Sequence, residues 1–254
     1  MIILDQVSKV FRLGRRQRKE MGKDFSGSAI TAVDQVSFTC HPGRIFGLIG
    51  PNGAGKTTTL RLIATMLKPT SGRITVNGFD VSTQGQEVRQ RLGFLTGNTG
   101  LYDRLTAEEM VRYYADLYGM TEADYQRRRN ELFPLLEMED FANRRIAKLS
   151  TGMKQKVSIC RTIIHNPSVV VFDEPTSGLD VMTSRAIIDL IRQCKAMGNT
   201  VIFSSHRMGE IHSLCDDLAI MHRGRIYFNG SYPEFQNQMQ AETLEDEFIR
   251  LTGV

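Results

Sequence analysis

The sequence predicts an α/β core carrying an α-helical insert. Three observations predict it. Strand-like apolar runs alternate with stretches of helical period both before and after the middle of the chain. That middle, from about residue 97 to 165, reads as helix alone. Val169-Val170-Val171-Phe172 shows no alternation, the pattern of a parallel strand buried on both faces.

Taken in order, residues 2–11 and 32–40 alternate apolar and polar side chains like half-buried strands. The basic stretch between them ends in Gly27-Ser28 and reads as a long exposed loop. Residues 44–49 are a short apolar run that stops at a glycine-rich turn, and residues 56–66 then follow a helical period. Strands are expected at 73–76 and 92–95, around a polar helix near 84–91. Residues 107–118, 122–137 and 152–165 read as helices, with Thr106 and Thr121 as N-caps of the first two. Strand 168–172 follows, then a helix at 181–197 stopped by Gly198. Residues 201–204 form another strand, and 218–221 pairs with 225–228 across His222-Arg223-Gly224 as a hairpin. Amphipathic helices near 232–239 and 244–251 come last. The expected organisation is one domain. Residues 1–96 and 166–230 make the core with its β subdomain, 97–165 the helical subdomain, and 231–254 a short helical extension.

The 254 residues suffice for a large core, and their 41% hydrophobic and 24% charged content is ordinary for a globular chain. No apolar run approaches the ~20 residues that span a bilayer. Met1-Ile2-Ile3-Leu4-Asp5 lacks the basic and apolar regions of a signal peptide, so a cytoplasmic location is expected. Cys40, Cys160, Cys194 and Cys215 are isolated and read as buried thiols. The net charge is +4. Arg12, Arg15, Arg16, Arg18, Lys19 and Lys23 face only Glu20 and Asp24, so this one segment carries the whole surplus. The remainder is balanced, which argues against a nucleic-acid partner.

Gly50-Pro51-Asn52-Gly53-Ala54-Gly55-Lys56-Thr57 fits G-x-x-x-x-G-K-[ST] between an expected strand and an expected helix. Glycines let consecutive backbone N–H groups curl around phosphate oxygens, and the helix N-terminus adds partial positive charge. Asn52, Gly53, Ala54, Gly55, Lys56, Thr57 and Thr58 are therefore the candidate nucleotide contacts. Lys56 is placed to reach the β- and γ-phosphates and Thr57 to offer a hydroxyl to Mg²⁺. The apolar strand at 168–172 runs into Asp173-Glu174, which puts two carboxylates at the C-terminal sheet edge where ligands of open α/β sheets gather. Asp173 is a candidate Mg²⁺ ligand and Glu174 a candidate base for an attacking water.

Three further segments narrow the reading. Leu149-Ser150-Thr151-Gly152-Met153-Lys154-Gln155 resembles the signature of ATP-binding cassette (ABC) ATPases. Ser177-Gly178-Leu179-Asp180 resembles their D-loop, and His206 their switch histidine. The resemblance runs from Phe11 to the hairpin near Phe228. It implies a P-loop NTPase (RecA-like) core with a mainly parallel sheet, an N-terminal antiparallel β subdomain and an α-helical subdomain. It also implies that two cassettes pair head to tail around two ATP molecules. Ser150 and Gly152 would meet the γ-phosphate bound by the partner, Asp180 and His206 would bridge the halves, and Phe11 would stack on adenine. Each reads differently in isolation: Ser150 as an N-cap, His206 as a polar strand end, Phe11 as core.

Thr151 and Met153 stand where many members carry Gly and Gln. After the strand at 92–95, where many members have a Gln that touches Mg²⁺ and the membrane subunit, this chain has Gly97. Asn98 beside it, or water, is the candidate substitute. Residues 96–120 look like exporter-type subunits, most of all the NatA-like subunits of bacterial sodium-efflux exporters, with drug and polysaccharide exporters sharing much of the pattern. A membrane-spanning transporter subunit, a paired cassette and a place on the inner face of the cell membrane are the implied surroundings. The segment from Arg12 to Lys23 is either a solvated loop or a contact for anionic lipid headgroups. A soluble ABC ATPase serving nucleic acid is the competing class. It usually has two cassettes or a coiled-coil insertion, whereas this chain has one phosphate loop and no heptad run.

Overall fold

The computed structural model describes residues 1–14, 28–96 and 100–253. Strand β1 (Ile2–Arg12) pairs antiparallel with β2 (Ala29–Cys40), from Ile2 opposite Cys40 to Phe11 opposite Ile30. Its other edge takes β4 (Ser71–Val76), which in turn pairs with β5 (Phe79–Asp80). These four form an antiparallel sheet in the order β2-β1-β4-β5. Gln6 and Gln35 adopt left-handed backbones, with φ of 47 and 50°, where the pairing of β1 slips register.

The second sheet combines β3 (Ile45–Ile49), β6 (Leu92–Leu95), β7 (Val169–Asp173), β8 (Thr200–Ser205), β9 (Asp217–His222) and β10 (Arg225–Ser231). Its order is β10-β9-β3-β8-β7-β6, parallel throughout except at the β9–β10 hairpin. Every residue of β3, β7 and β8 is buried, and alternate side chains divide between two cores. Val170, Phe172, Val201 and Phe203 join the core beneath the helical region, whereas Val169, Val171 and Ile202 join the one between the sheets. Phe38 of β2 stacks on Phe46 of β3 at 4.8 Å between ring centroids, which ties the two sheets together.

The helices are α1 (Lys56–Ile63), α2 (Gly85–Arg91), α3 (Ala107–Leu117), α4 (Glu122–Leu135), α5 (Thr151–Ile163), α6 (Val181–Ala196), α7 (Met208–Leu214), α8 (Tyr232–Gln238) and α9 (Leu244–Thr252). Thr106 and Glu109 form a reciprocal capping box on α3, and Thr121 caps α4, as the sequence leads one to expect. Helices α3, α4 and α5 bury Met110, Val111, Leu132, Phe133 and Val157 in one cluster with the sheet face. Helix α1 stops three residues short of expectation, because the chain turns at Ala64 into a left-handed Thr65 (φ 61°). Helix α7 and strand β5 were not anticipated. Two residues cannot show a strand period, and seven barely complete two helical turns.

Strand order is what assembles the site. In the parallel register Ile49 lies opposite Ser205, and Asp173 opposite Ser204. The segments that follow β3, β7 and β8 therefore emerge side by side at one sheet edge.

Candidate functional site

The loop at residues 50–57 leaves β3 and becomes the first turn of α1, with Gly55 as N-cap and no side chain closing the helix end. Its first N–H groups therefore point into the loop. Gly55 has φ 108°, and a Cβ there would lie 2.4 Å from the Ala32 carbonyl oxygen. A Cβ on Gly50 would lie 2.1 Å from the Met221 carbonyl oxygen. The loop is braced by a hydrogen bond from the Gly224 amide to the Ala54 carbonyl, at 2.8 Å. The hairpin turn after β9 thus backs the loop.

Lys56 is 4% exposed. Its Nζ donates to the carbonyls of Gly50 (2.7 Å) and Pro51 (3.1 Å) and lies 3.5 Å from Glu174 Oε1. Burial lowers its pKa, and the Glu174 carboxylate opposes that shift. Thr57 Oγ1 donates to Asp173 Oδ1 at 3.1 Å. The same Asp173 oxygen accepts from Ser204 Oγ at 2.7 Å, and Ser204 Oγ accepts the Glu174 amide at 3.0 Å. One buried hydroxyl therefore fixes both carboxylate residues. Glu174 itself has φ 48°, a left-handed backbone for a side chain that disfavours it. His206 Nδ1 lies 3.4 Å from Glu174 Oε1, so Lys56 and His206 converge on one carboxylate oxygen.

Thr57, Asp173 and Glu174 border a cleft of about 450 Å³ lined also by Asn52, Thr151 and Gln155, among others. A smaller hollow of about 150 Å³ sits against residues 51–58 and Ala32. Phe11 is 37% exposed near the end of β1, with Lys9 Nζ 5.2 Å from its ring centroid. It sits opposite Ile30, two residues before the Ala32 that abuts the phosphate loop.

Other expected site residues do not line this cleft themselves, although their neighbours Thr151 and Leu179 do. Ser150 Oγ accepts the Met153 amide at 3.2 Å and caps α5. Asp180 caps α6, accepting from the Thr183 amide (2.9 Å) and hydroxyl (2.8 Å). Gly152 adjoins this cap: a Cβ there would stand 3.0 Å from Thr183 Oγ1 and 3.8 Å from Asp180 Oδ2. Ser150, Gly152 and Asp180 thus form a second group beside the cleft. Gly97 and Asn98 lie outside the described residues, as do Arg15, Arg16, Arg18, Lys19 and Lys23. Arg12 is described and exposed at the end of β1.

The sequence model of the ABC transporter family matches residues 33–177. The chain belongs to this family. It is an ABC transporter ATP-binding domain, and its two-sheet core with attached helices is the family's architecture. The ABC transporter ATP-binding protein NatA of Bacillus subtilis is 43% identical over 221 residues, 87% of this chain and 90% of its own. A solved ATP-binding subunit of an ABC transporter superposes with TM-score 0.85 and 28% identity over 99% of both chains. MJ0796, a bacterial ABC transporter cassette solved as a dimer, gives TM-score 0.78 and 26% identity over 91% of this chain and 98% of its own.

Ser204 and Gln155 are site residues that sequence reasoning passed over. Gln155 lines the cleft, and its Nε2 donates to the Pro175 carbonyl at 3.0 Å. Ser204 reads as an ordinary strand end. The available signal was a small hydroxyl residue at the C-terminal edge of a central strand, one of several places where polar groups gather in such folds.

Proposed function

We propose that this ABC domain binds and hydrolyses ATP as the energising subunit of an exporter, acting through a separate membrane-spanning subunit at the inner face of the cell membrane. The observation that carries this is the convergence of Lys56, His206, Asp173 and Glu174 around the phosphate loop. Lys56 is desolvated and held by two carbonyls that a phosphate oxygen would replace. Glu174 is fixed at its backbone with its carboxylate turned to Lys56 and His206, as a base for water must be.

The Thr57 hydroxyl and Asp173 carboxylate make an all-oxygen pair, which suits a Mg²⁺ that keeps water and takes phosphate oxygens as further ligands. These two residues would hold it, and bound there it would neutralise charge on the phosphates. Ser150, Gly152 and Asp180 sit beside their own cleft without lining it and are available to a second cassette. The dimeric state of the MJ0796 cassette supports this pairing. Phe11 is open to stack on adenine. Among the described residues no helix is long and apolar enough to cross a membrane, which supports a partner chain for the pore.

Export, with sodium as cargo, is inferred from the resemblance of residues 96–120 to sodium-efflux subunits. The 43% identity to the ABC transporter ATP-binding protein NatA supports a transporter subunit. Growth of a gene-deleted host in raised NaCl, compared with growth on lipophilic drugs, tests the cargo. Selective salt sensitivity is expected, and drug sensitivity alone overturns sodium. For the chemistry, Glu174→Gln keeps size and removes the base. Turnover is expected to fall at least about 100-fold while ATP still binds and drives dimer formation on size exclusion. Turnover that survives the substitution refutes Glu174 as base.

A further inference from the structure

Helix α7 buries a carboxylate that the proposed chemistry leaves unused. Glu210 is 8% exposed. Its Oε1 accepts from Thr176 Oγ1 at 2.6 Å and its Oε2 from Ser205 Oγ at 2.7 Å. Thr176 and Ser205 are themselves only 3% exposed. Ser205 Oγ in turn accepts the Arg207 amide at 3.0 Å, and Arg207 Nη1 lies 3.5 Å from Glu210 Oε1. The Arg207 side chain is 44% exposed, so the carboxylate is satisfied mainly by hydroxyls rather than by a buried cation.

What these donors belong to gives the arrangement its meaning. Thr176 lies two residues after Glu174, in a loop closed by hydrogen bonds from Ser177 to the Glu174 carbonyl and from Leu179 to the Thr176 carbonyl. Ser205 is the last residue of β8 and immediately precedes His206. Thr176 lies beyond β7, and Ser205 pairs with Ile49 of β3 but has no partner on the β7 side, where pairing ends at Asp173 and Ser204. A buried charge is costly unless fully hydrogen-bonded, so Glu210 is a poor choice for helix packing alone. Its two oxygens link the segment after the base to the segment before the histidine, across the gap that sets the 3.4 Å spacing of His206 and Glu174.

We propose that Glu210 is a positioning residue, a two-pronged clamp that keeps Glu174 and His206 in one fixed frame. The inference rests on the reading of Glu174 as base and concerns turnover, not nucleotide binding. The phosphate loop is anchored separately, through β3, α1 and the Gly224–Ala54 hydrogen bond.

The test measures steady-state ATP turnover, affinity for a fluorescent ATP analogue and thermal midpoint for full-length Glu210→Ala, Glu210→Gln and Thr176→Val. Glu210→Ala is expected to lower kcat at least about tenfold, with KM and analogue affinity within about twofold. Glu210→Gln keeps an acceptor oxygen, and the hydroxyls can turn toward its amide, so kcat is expected within about threefold of the parent. Thr176→Val breaks one prong and is expected to fall between the two. An unchanged kcat in Glu210→Ala overturns the clamp, as does a parallel loss of kcat, nucleotide affinity and thermal midpoint. If Glu210→Ala does not fold, Thr176→Val decides, and an unchanged kcat there overturns it. Glu174→Gln is assayed alongside. Activity in that variant breaks the base assignment, whereas its inactivity with normal Glu210→Ala or Thr176→Val breaks the clamp alone.

Discussion

Replacing Ser204 by Ala removes one oxygen from the centre of the site. That oxygen is wholly buried, donates to Asp173 Oδ1 at 2.7 Å and accepts the Glu174 amide at 3.0 Å. A hydrogen bond to a charged group contributes about 1.5–3 kcal/mol, and a buried N–H left without a partner costs about 1–3 kcal/mol. The two losses share one atom and are not fully additive, so a destabilisation of about 3 kcal/mol is expected. For a chain of this size that lowers the thermal midpoint by about 6–12 °C. Activity should suffer beyond stability. The left-handed backbone of Glu174 costs about 1–3 kcal/mol and persists only where its surroundings enforce it. The bond from its amide to Ser204 is one of those constraints, so its loss lets the base relax away from His206 and Lys56. Thermal denaturation gives the midpoint, and ATP turnover measured well below it separates the two effects. A midpoint within about 2 °C of the parent, together with unchanged kcat, would show that Ser204 only fills space.

Two further outcomes follow from local physics. His165 stacks on Tyr118 at 3.6 Å, and burial pushes its pKa from 6.5 down to about 4. The unfolded chain takes up this proton as pH falls below 6.5 while the folded chain does not until about 4, so stability drops across that window, by about 2 kcal/mol between pH 7 and 5. Urea unfolding of His165→Phe should show a correspondingly smaller loss over the same interval, and an identical pH slope would exclude His165 as its source. Gly55→Ala places a Cβ 2.4 Å from a backbone oxygen at φ 108°, and no flexible side chain can yield. Nucleotide affinity measured by analogue fluorescence should be lost, and retained affinity would mean that the loop tolerates the displacement.

The parts of this fold legible in the sequence are those written in local period or in local chemistry. The all-apolar β7, the capped starts of α3 and α4, and the residues 50–57 announce themselves within a dozen positions. Asp173 and Glu174 are legible because an apolar strand that ends in acids can only deliver them at its edge. The stop of α1 was missed because Thr65 takes a backbone usually left to Gly or Asn. Ser204 and Glu210 were missed for a different reason. A serine on a strand and a glutamate on a seven-residue helix carry no local mark of use. Their meaning comes from partners 31 and 34 residues away, brought close by strand order.

That strand order also explains why the site is built from ordinary residues held unusually. With β7 and β8 adjacent and parallel, Asp173 is placed beside Ser204 without further specification. Glu174 follows at once, and an extended continuation would send its side chain to the opposite face from Asp173. The left-handed φ at Glu174 breaks that alternation and turns the chain at the sheet edge. The strain is local, whereas the groups that hold it come from β8 and α7, through Ser204 at the amide and Glu210 two residues beyond. A base fixed in this way depends on polar contacts from neighbouring segments more than on its own preferences. It follows that substitutions in β8 and α7, which touch no phosphate, should act on turnover before they act on nucleotide affinity.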